Sequence, residues 1–239
     1  MEISYKDFRK ETPLKGFFET QFAAWLCTRL SPLLAIPCIR YNIRPNTQTL
    51  AMIISGILGG VMLMLPYATC KFFAVLLYIL WFTWDCSDGE CARYTKTFST
   101  YGKQMDWMAH FSCHPLFLMA VWMSFKQLGT FNMTIVSFIT VMWVSVELVN
   151  RGIIALNIPT KAKTADAMIR HYGAVDFLKN IYAQFLYFPN VVIILSLLVA
   201  FSFVYHFAEL LYVYAAWALF HACYVIRLYV RMVRYMYNN

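Results

Sequence analysis

Runs of apolar residues dominate the chain and alternate with short polar segments. A membrane-spanning helix needs about 20 mostly apolar residues. No run alternates apolar with polar residues as the strands of a membrane barrel do, so the runs are predicted to be helices. The six predicted spans are Thr49–Tyr67, Phe72–Ala92, Tyr101–Phe125, Met133–Leu156, Leu186–Tyr205 and Leu210–Val230. The pattern therefore predicts an all-α, polytopic membrane protein.

The segment before the first span, residues 17–39, is apolar but interrupted. Its interruptions are charged residues and prolines: Glu19, Arg29, Pro32 and Pro37. Such a pattern is typical of an amphipathic helix that lies in the membrane interface. We expect one membrane domain over 1–239, with a cytoplasmic and interfacial segment at 1–45 and a six-helix core at 46–239.

The composition excludes a water-soluble protein. Hydrophobic residues make up 61% of the chain and charged residues 13%, which leaves too little polar surface. The seven cysteines form neither an even disulfide framework nor a paired CxxC zinc pattern. Residues 1–16 are charged and lack an apolar core, so we expect no cleavable signal peptide.

The basic residues predict how the chain is oriented, because Lys and Arg near span ends favour the cytoplasm. Six spans put both termini on one side, and only Lys71 and Lys126 then fall on the other. The termini and the long polar loop at 157–185, with a short helix at 164–170, are therefore predicted to be cytoplasmic. Attraction to anionic lipid headgroups accounts for the net charge of +8, so no nucleic-acid partner is expected.

Acidic residues are scarce, but four of the twelve lie between Asp85 and Asp106. Asp85 and Asp88 are three residues apart at the end of span two, so they share a helix face. Asp106 and His110 are four apart at the start of span three and share a face as well. A charged group at the centre of a membrane helix costs on the order of 2.5–3.5 kcal/mol. This concentration of acidic groups therefore indicates a functional site.

The two helices that carry these residues are joined by the short linker Tyr94–Thr100, so three carboxylates and an imidazole can meet at one point. Carboxylate oxygens suit Mg²⁺ or Mn²⁺. Two such ions about 3.5–4 Å apart can bridge a diphosphate and neutralise charge on a leaving phosphate. The predicted metal ligands are Asp85, Asp88, Asp106 and His110.

The spacing of these residues resembles the signature D-x2-D-G-x2-A-R-x8-G-x3-D-x3-D of the CDP-alcohol phosphotransferase family. The matching residues are Asp85, Asp88, Gly89, Ala92, Arg93, Gly102 and Asp106. Upstream, Pro45, Asn46 and Thr49 resemble the Pro-Asn-x-x-Thr entry to the first span of such proteins. The resemblance covers most of the chain, and its specificity lies in residues 85–110.

The resemblance implies a homodimeric six-helix enzyme that uses two divalent cations, takes a CDP-alcohol donor and releases CMP. It implies that Asp85, Asp88 and Asp106 bind the metal ions. The residues expected to line the nucleotide site are Asn46, Gly89, Ala92, Arg93 and Gly102.

The chain departs from the signature at its last position, where His110 replaces the Asp expected to act as general base and to touch the second metal ion. Histidine has an unperturbed pKa of about 6.5 and can accept a proton at neutral pH. Three interpretations stay open: His110 is the base beside a catalytic Asp106, His110 is chiefly a metal ligand, or the site is impaired and only binds.

Other polar residues lie at membrane depth. Glu147 and Arg151 are four apart in span four, so they could pair with each other, but we favour binding of the acceptor or a phosphate by Arg151. His114 could extend the site or line the helix bundle, and lining is the preferred interpretation for three histidines: His114, His206 and His221.

The predicted function is metal-dependent transfer of a substituted phosphate from a CDP-alcohol to a hydroxyl acceptor, in phospholipid or phosphoglycan biosynthesis. The donor could be CDP-diacylglycerol or a soluble CDP-alcohol, and the acceptor a lipid, a polyol or an amino alcohol. Two alternatives are an impaired CDP-alcohol-binding protein of the same fold and a small divalent-cation transporter. The transporter is disfavoured because the acidic cluster has no counterpart across the membrane.

Overall fold

The computed structural model describes residues 3–155, 181–207 and 209–237. All regular structure in these ranges is helical, and a single 3-10 turn occupies Phe17–Glu19. Apart from a helical stretch at 181–186, the α-helices follow in the order α1 (Tyr5–Glu11), α2 (Phe22–Leu30), α3 (Pro32–Arg40), α4 (Pro45–Met64), α5 (Ala68–Thr95), α6 (Gly102–Leu128), α7 (Met133–Ala155), α8 (Phe188–Tyr205) and α9 (Leu210–Tyr237). The all-α prediction is confirmed for the described part of the chain.

Five helices are long and apolar enough to cross a membrane, namely α4, α5, α7, α8 and α9. The prediction of a polytopic membrane protein is therefore confirmed. Helix α6, which corresponds to predicted span three, has 27 residues but is not among these five. The pair α2 and α3 would make a sixth span if it crossed as one unit, although it bends by 42° at Ser31. Its predicted interfacial position stays a prediction.

The predicted loop at 157–185, including the short helix at 164–170, lies mostly outside the described residues. Its last residues are described and differ from the prediction, because residues 181–186 are helical. Helix α8 then begins at Phe188 with Pro189 in its first turn, where proline fits because the first amides of a helix need no partner within it.

The helices bury polar residues and expose apolar ones, as expected of a protein whose solvent is lipid. Helix α4 illustrates the pattern, because Gln48, Thr49 and Ser55 are buried. Its exposed residues are large and apolar: Leu50, Ile54, Ile57, Leu58 and Val61.

Two glycines let α4 approach its neighbours closely. A Cβ atom on Gly56 would lie 2.5 Å from Cys113 Sγ of α6 and 2.9 Å from Trp81 Cδ1 of α5. A Cβ atom on Gly60 would lie 2.9 Å from Leu116 Cγ. Small residues four apart are a common basis of helix packing in membranes. The close contacts at Gly56 and Gly60 join α4, α5 and α6 into a central three-helix unit, against which α7 and α8 pack.

Helix α5 is long enough to carry the acidic motif beyond the hydrocarbon core. Its 28 residues correspond to about 42 Å at 1.5 Å per residue, whereas the core of a bilayer is about 30 Å thick. The helix ends at Thr95, the capping residue Lys96 adopts a left-handed conformation with φ of 55°, and the chain then turns back into α6.

The N-terminal segment is attached to α5 through a buried ion pair. Arg9 Nη1 lies 2.8 Å from Glu90 Oε1, and the two side chains are 10% and 5% exposed. Ser31 Oγ donates a 2.5 Å hydrogen bond to the other carboxylate oxygen of Glu90. Because Glu90 follows Asp88 and Gly89 in sequence, α1 and α3 are linked directly to the helix turn that carries the acidic motif.

Candidate functional site

The C-terminal turns of α5 and the N-terminal turns of α6 bring together the residues singled out in the sequence. Asp85, Asp106 and His110 form a group in which one ligand atom from each residue lies within 4.8 Å of the others. His110 Nε2 is 3.3 Å from Asp106 Oδ1 and 3.7 Å from Asp85 Oδ1. The predicted convergence of these residues from two helices is therefore present in the structure.

Asp88 lies outside this group and faces α4. Its Oδ2 accepts a 2.6 Å hydrogen bond from the hydroxyl of Thr49. Thr49 is buried, so it holds the Asp88 carboxylate toward the start of α4. The role of Asp88 as a metal ligand stays a prediction.

A cavity of about 350 Å³ opens beside Asp88 and Asp106 and joins the ends of α4, α5 and α6. Its lining contains all five residues predicted for the nucleotide site: Asn46, Gly89, Ala92, Arg93 and Gly102. Lys103 and the linker residues 97–99 complete the wall. The lining thus combines cationic side chains, hydrogen-bonding groups and small residues, which suits a phosphorylated ligand.

Small residues keep this cavity open. A Cβ atom on Gly89 would lie 3.2 Å from Arg93 Nη1, so the guanidinium folds back over the glycine. On the opposite wall, Asn46 Nδ2 donates a 3.0 Å hydrogen bond to Ser99 Oγ. This bond ties the linker between α5 and α6 to the start of α4.

A second cavity of about 520 Å³ lies on the far side of Asn46, between the end of α3 and the linker. The two cavities share five lining residues: Pro45, Asn46, Thr97, Phe98 and Ser99. These volumes offer room for a ligand larger than a single phosphate.

Behind His110, a line of buried polar side chains extends away from the cavity. His110 Nδ1 lies 3.1 Å from His114 Nε2, and His114 Nδ1 lies 2.7 Å from Glu147 Oε1 on α7. The preferred interpretation of His114 as a bundle-lining residue is incomplete, because its ring hydrogen-bonds to a residue of the predicted site. The i, i+4 spacing of His110 and His114 was the signal in the sequence that could have indicated this contact.

Arg151 pairs with Glu147, as the simpler sequence interpretation expected. Its Nε donates a 2.9 Å hydrogen bond to Glu147 Oε1. Binding of an acceptor or phosphate by Arg151 stays a prediction. His221 of α9 also reaches this carboxylate, with Nε2 3.2 Å from Glu147 Oε2, whereas His206 lies at the end of α8 and is exposed.

The donor set at Asp85, Asp106 and His110 fits a divalent cation. Two carboxylates and one imidazole supply oxygen and nitrogen ligands, a combination found with Mn²⁺ and related ions as well as Mg²⁺. His110 is 8% exposed and Asp106 is 40% exposed, so the group is closed toward the bundle and open toward the cavity. An ion held there would face a ligand bound in the cavity.

A protein-family model described as CDP-alcohol phosphatidyltransferase matches residues 42–187, which include the whole cluster and its cavity. The chain belongs to the CDP-alcohol phosphatidyltransferase family. No curated protein and no solved structure matches it.

Membership of the CDP-alcohol phosphatidyltransferase family confirms the resemblance read from residues 85–110. The family implies transfer of a phosphate group from a CDP-alcohol in lipid biosynthesis, and its members generally depend on divalent cations. The match begins at residue 42, directly before the Pro45-Asn46 turn that opens α4, and so leaves out α1 to α3.

Proposed function

We propose that this chain transfers a substituted phosphate group from a CDP-alcohol to a hydroxyl acceptor and releases CMP at the cytoplasmic face of a membrane. One observation carries the proposal: the cavity that contains the predicted nucleotide-site residues also contains Asp88 and Asp106, and it adjoins the group formed by Asp85, Asp106 and His110.

The donor would bind with its diphosphate toward Asp88 and Asp106. Arg93 and Lys103 line the same cavity and can neutralise phosphate charge. Gly89 and Ala92 leave the surface of α5 accessible, so the nucleotide can approach the helix backbone closely.

Two divalent cations, Mg²⁺ or Mn²⁺, would be held by Asp85, Asp88 and Asp106, and also by His110 if that residue serves as a ligand instead of as the base. When bound, such ions supply charge neutralisation on the diphosphate. Asp88 would have to exchange or share its hydrogen bond with Thr49 to take part.

The acceptor hydroxyl attacks the phosphorus that carries the alcohol substituent. A new O–P bond forms, the bond to the bridging oxygen of CMP breaks, and CMP leaves. His110 accepts the hydroxyl proton on Nε2, with Asp106 beside it at 3.3 Å to stabilise the resulting charge. Arg151 would help to bind the acceptor.

The chain would act as a homodimer, and the donor, the acceptor or both would be lipids.

The test is CMP release by the purified protein in lipid vesicles with Mg²⁺ or Mn²⁺. The donors are CDP-diacylglycerol, CDP-glycerol, CDP-ethanolamine and CDP-choline, each with mixed lipid and polyol acceptors. We expect release from one donor class, loss of release with a chelator, and loss of at least about 100-fold in Asp85→Asn and His110→Ala.

Two other outcomes would contradict the proposal. Binding of a CDP-alcohol without CMP release, with release restored by His110→Asp, would indicate an impaired relative that lost its base. Cation flux through the vesicle membrane without any nucleotide would indicate a transporter.

A further inference from the structure

The buried polar line behind His110 joins three helices at a place that does not border the cavity. It consists of His114 on α6, Glu147 on α7 and His221 on α9, whose side chains are at most 1% exposed. A carboxylate buried in a membrane protein is costly unless its hydrogen bonds are satisfied. Glu147 meets this need with Arg151, His114 and Asn150. The line is therefore built around an ionised Glu147.

The ionised carboxylate determines which nitrogen of His114 carries a proton. A carboxylate only accepts hydrogen bonds, so the 2.7 Å contact requires His114 Nδ1 to be the donor. In a neutral ring, His114 Nε2 then has a free lone pair. His110 Nδ1 lies 3.1 Å from this nitrogen and must be the donor in that contact. The single proton of a neutral His110 is thereby placed on Nδ1. Its Nε2, 3.3 Å from Asp106 Oδ1, is then a lone pair that only a cation or a second proton can join to that carboxylate.

The same reasoning applies on the other side of Glu147. Trp143 Nε1 donates a 3.3 Å hydrogen bond to His221 Nδ1, and an indole N–H can only donate. The proton of a neutral His221 is then on Nε2, which is the nitrogen near Glu147 Oε2, although that N–H is not well aligned with the oxygen. The ring proton of each of the three histidines therefore lies on the nitrogen that is nearer to Glu147 along the line.

The rings of this line are held against rotation by aromatic side chains. His114 stacks on Phe188 with centroids 4.1 Å apart and planes at 22°. Trp81 contacts both His110 and His114 edge-on, at 5.6 and 5.7 Å between centroids. A ring fixed in this way cannot exchange its two nitrogens by flipping without displacing its neighbours.

We propose that Glu147 is a positioning residue that acts through His114 to keep His110 in the Nδ1–H tautomer, so that the Nε2 lone pair faces Asp85 and Asp106. This inference rests on the proposed function, because a base and a metal ligand both need that lone pair. The opposite tautomer would direct an N–H at the cluster and could serve as neither. Glu147 does not touch the cavity, so its effect would be entirely indirect.

A direct test is the nitrogen spectrum of the protein labelled with ¹⁵N-histidine in lipid vesicles, with signals assigned by His110→Asn. With Mg²⁺ present, we expect His110 of the wild type to show a protonated Nδ1 and an unprotonated Nε2, because a cation between Nε2 and the two carboxylates takes the place of a proton there. In Glu147→Gln we expect a mixture of both tautomers, because a neutral amide can donate as well as accept. A wild-type His110 with a protonated Nε2 would overturn the proposal, whether or not the protein releases CMP and whether or not any variant folds.

A pair of variants at His114 separates positioning from proton transfer through the ring. In His114→Gln the amide oxygen can accept from His110 Nδ1–H and the amide nitrogen can donate to Glu147, so the line is kept without an imidazole. His114→Leu removes both hydrogen bonds. We expect CMP release to stay within about threefold of wild type in His114→Gln and to fall about 10–100-fold in kcat in His114→Leu and in Glu147→Gln, the loss typical of residues that orient a ligand.

The KM for the donor should change by less than about twofold in these variants, because none of the residues lines the cavity. Mn²⁺ affinity, followed by electron paramagnetic resonance without substrate, should fall in His114→Leu and not in His114→Gln. Glu209→Gln, on the connection between α8 and α9, is the matched control. Equal losses in His114→Gln and His114→Leu would overturn the positioning role in favour of proton transfer, and unchanged kcat in both would overturn it outright.

Discussion

At the scale of single residues, the cavity beside Asp88 and Asp106 depends on positions where a side chain is missing. Gly89 lies in the wall of α5, and Arg93 one turn later covers it. The cavity is narrow enough that one added branch would compete with the guanidinium for space. Gly152 of α7 offers a comparison, since within the described part of the chain no atom beyond its own neighbours and helix backbone lies within 4 Å of the place where its Cβ would be.

We expect Gly89→Val to raise the KM for the CDP-alcohol about 10–100-fold. The added atoms would displace Arg93 from its place 3.2 Å away and remove a charge-assisted hydrogen bond worth about 1.5–3 kcal/mol. Initial rates of CMP release over a range of donor concentrations measure the effect. Gly152→Val carries the same change into open space and should keep the wild-type KM. An unchanged KM in Gly89→Val would show that the donor does not approach this turn of α5.

The residue scale also shows how far the sequence could predict the site. Asp85, Asp106 and His110 could be predicted to meet because a short linker joins their helices and each pair has helical spacing. Glu147 and His221 could not be assigned to the same cluster. They come from α7 and α9, and helical periodicity indicates which face is polar but not which helix packs against that face. The contacts of Glu147 with His114 and with His221 are fixed only by the packing of whole helices.

At the scale of helices, the site depends on the close approach of α4 to α5 and α6. The contact at Gly56 involves Trp81 and Cys113, and Trp81 also packs on His110 and His114. A change at Gly56 would therefore be transmitted to the ring that faces the acidic cluster.

We expect Gly56→Ala to destabilise the protein by about 1–3 kcal/mol, the usual cost of overfilling a packed interior. The reason is the 2.5 Å distance between the new Cβ and Cys113 Sγ. Thermal unfolding in detergent, followed by tryptophan fluorescence, measures the change. Cys113→Ala in the same chain should restore part of the loss, since it removes the clashing sulfur. Equal unfolding temperatures for wild type and Gly56→Ala would contradict the packing described for α4.

The N-terminal helix α1 is joined to α5 of the central three-helix unit by the ion pair of Arg9 and Glu90. Removing one partner of a buried pair costs about 3–5 kcal/mol, whereas replacing both with apolar residues is often neutral. We therefore expect Arg9→Ala to increase hydrogen exchange in α1 and in the last turns of α5, and Arg9→Met with Glu90→Leu to show less exchange than Arg9→Ala. Exchange that is unchanged in Arg9→Ala would mean that α1 is held in place by its apolar contacts alone.

At the scale of the whole molecule, the orientation of the bundle decides which compartment supplies the substrates. The distribution of basic residues predicts that both termini and the cavity face the cytoplasm. Epitope tags at each terminus should be inaccessible to antibody in intact cells and accessible after permeabilisation. A tag inserted at Asn132, in the connection between α6 and α7, should be accessible in both. Access to the terminal tags in intact cells would reverse the assignment.

The architecture was predictable where lipid alone determines it. Apolar length identified the spans that became α4, α5, α7, α8 and α9, because each of these helices faces the bilayer along part of its surface. Residues 22–40 were harder to interpret, since the apolar stretch is divided into two short helices at Ser31, directly before Pro32, whereas Pro37 lies inside the second helix. Length and hydropathy do not distinguish a broken span from a helix that lies on the surface.

Helix α6 has a consequence for how the protein is made. It carries Lys103, Asp106, His110 and His114 within its first thirteen residues, and it is not among the helices apolar enough to cross a membrane. The insertion machinery releases a segment into lipid according to its hydrophobicity. Helix α6 is therefore poorly suited to enter the lipid without a partner helix. The preceding helices α4 and α5, once inserted, provide a surface against which α6 can pack, at Gly56 and Gly60 of α4. Membrane insertion of the protein would then be ordered, with α6 entering the lipid by packing against the two helices synthesised before it.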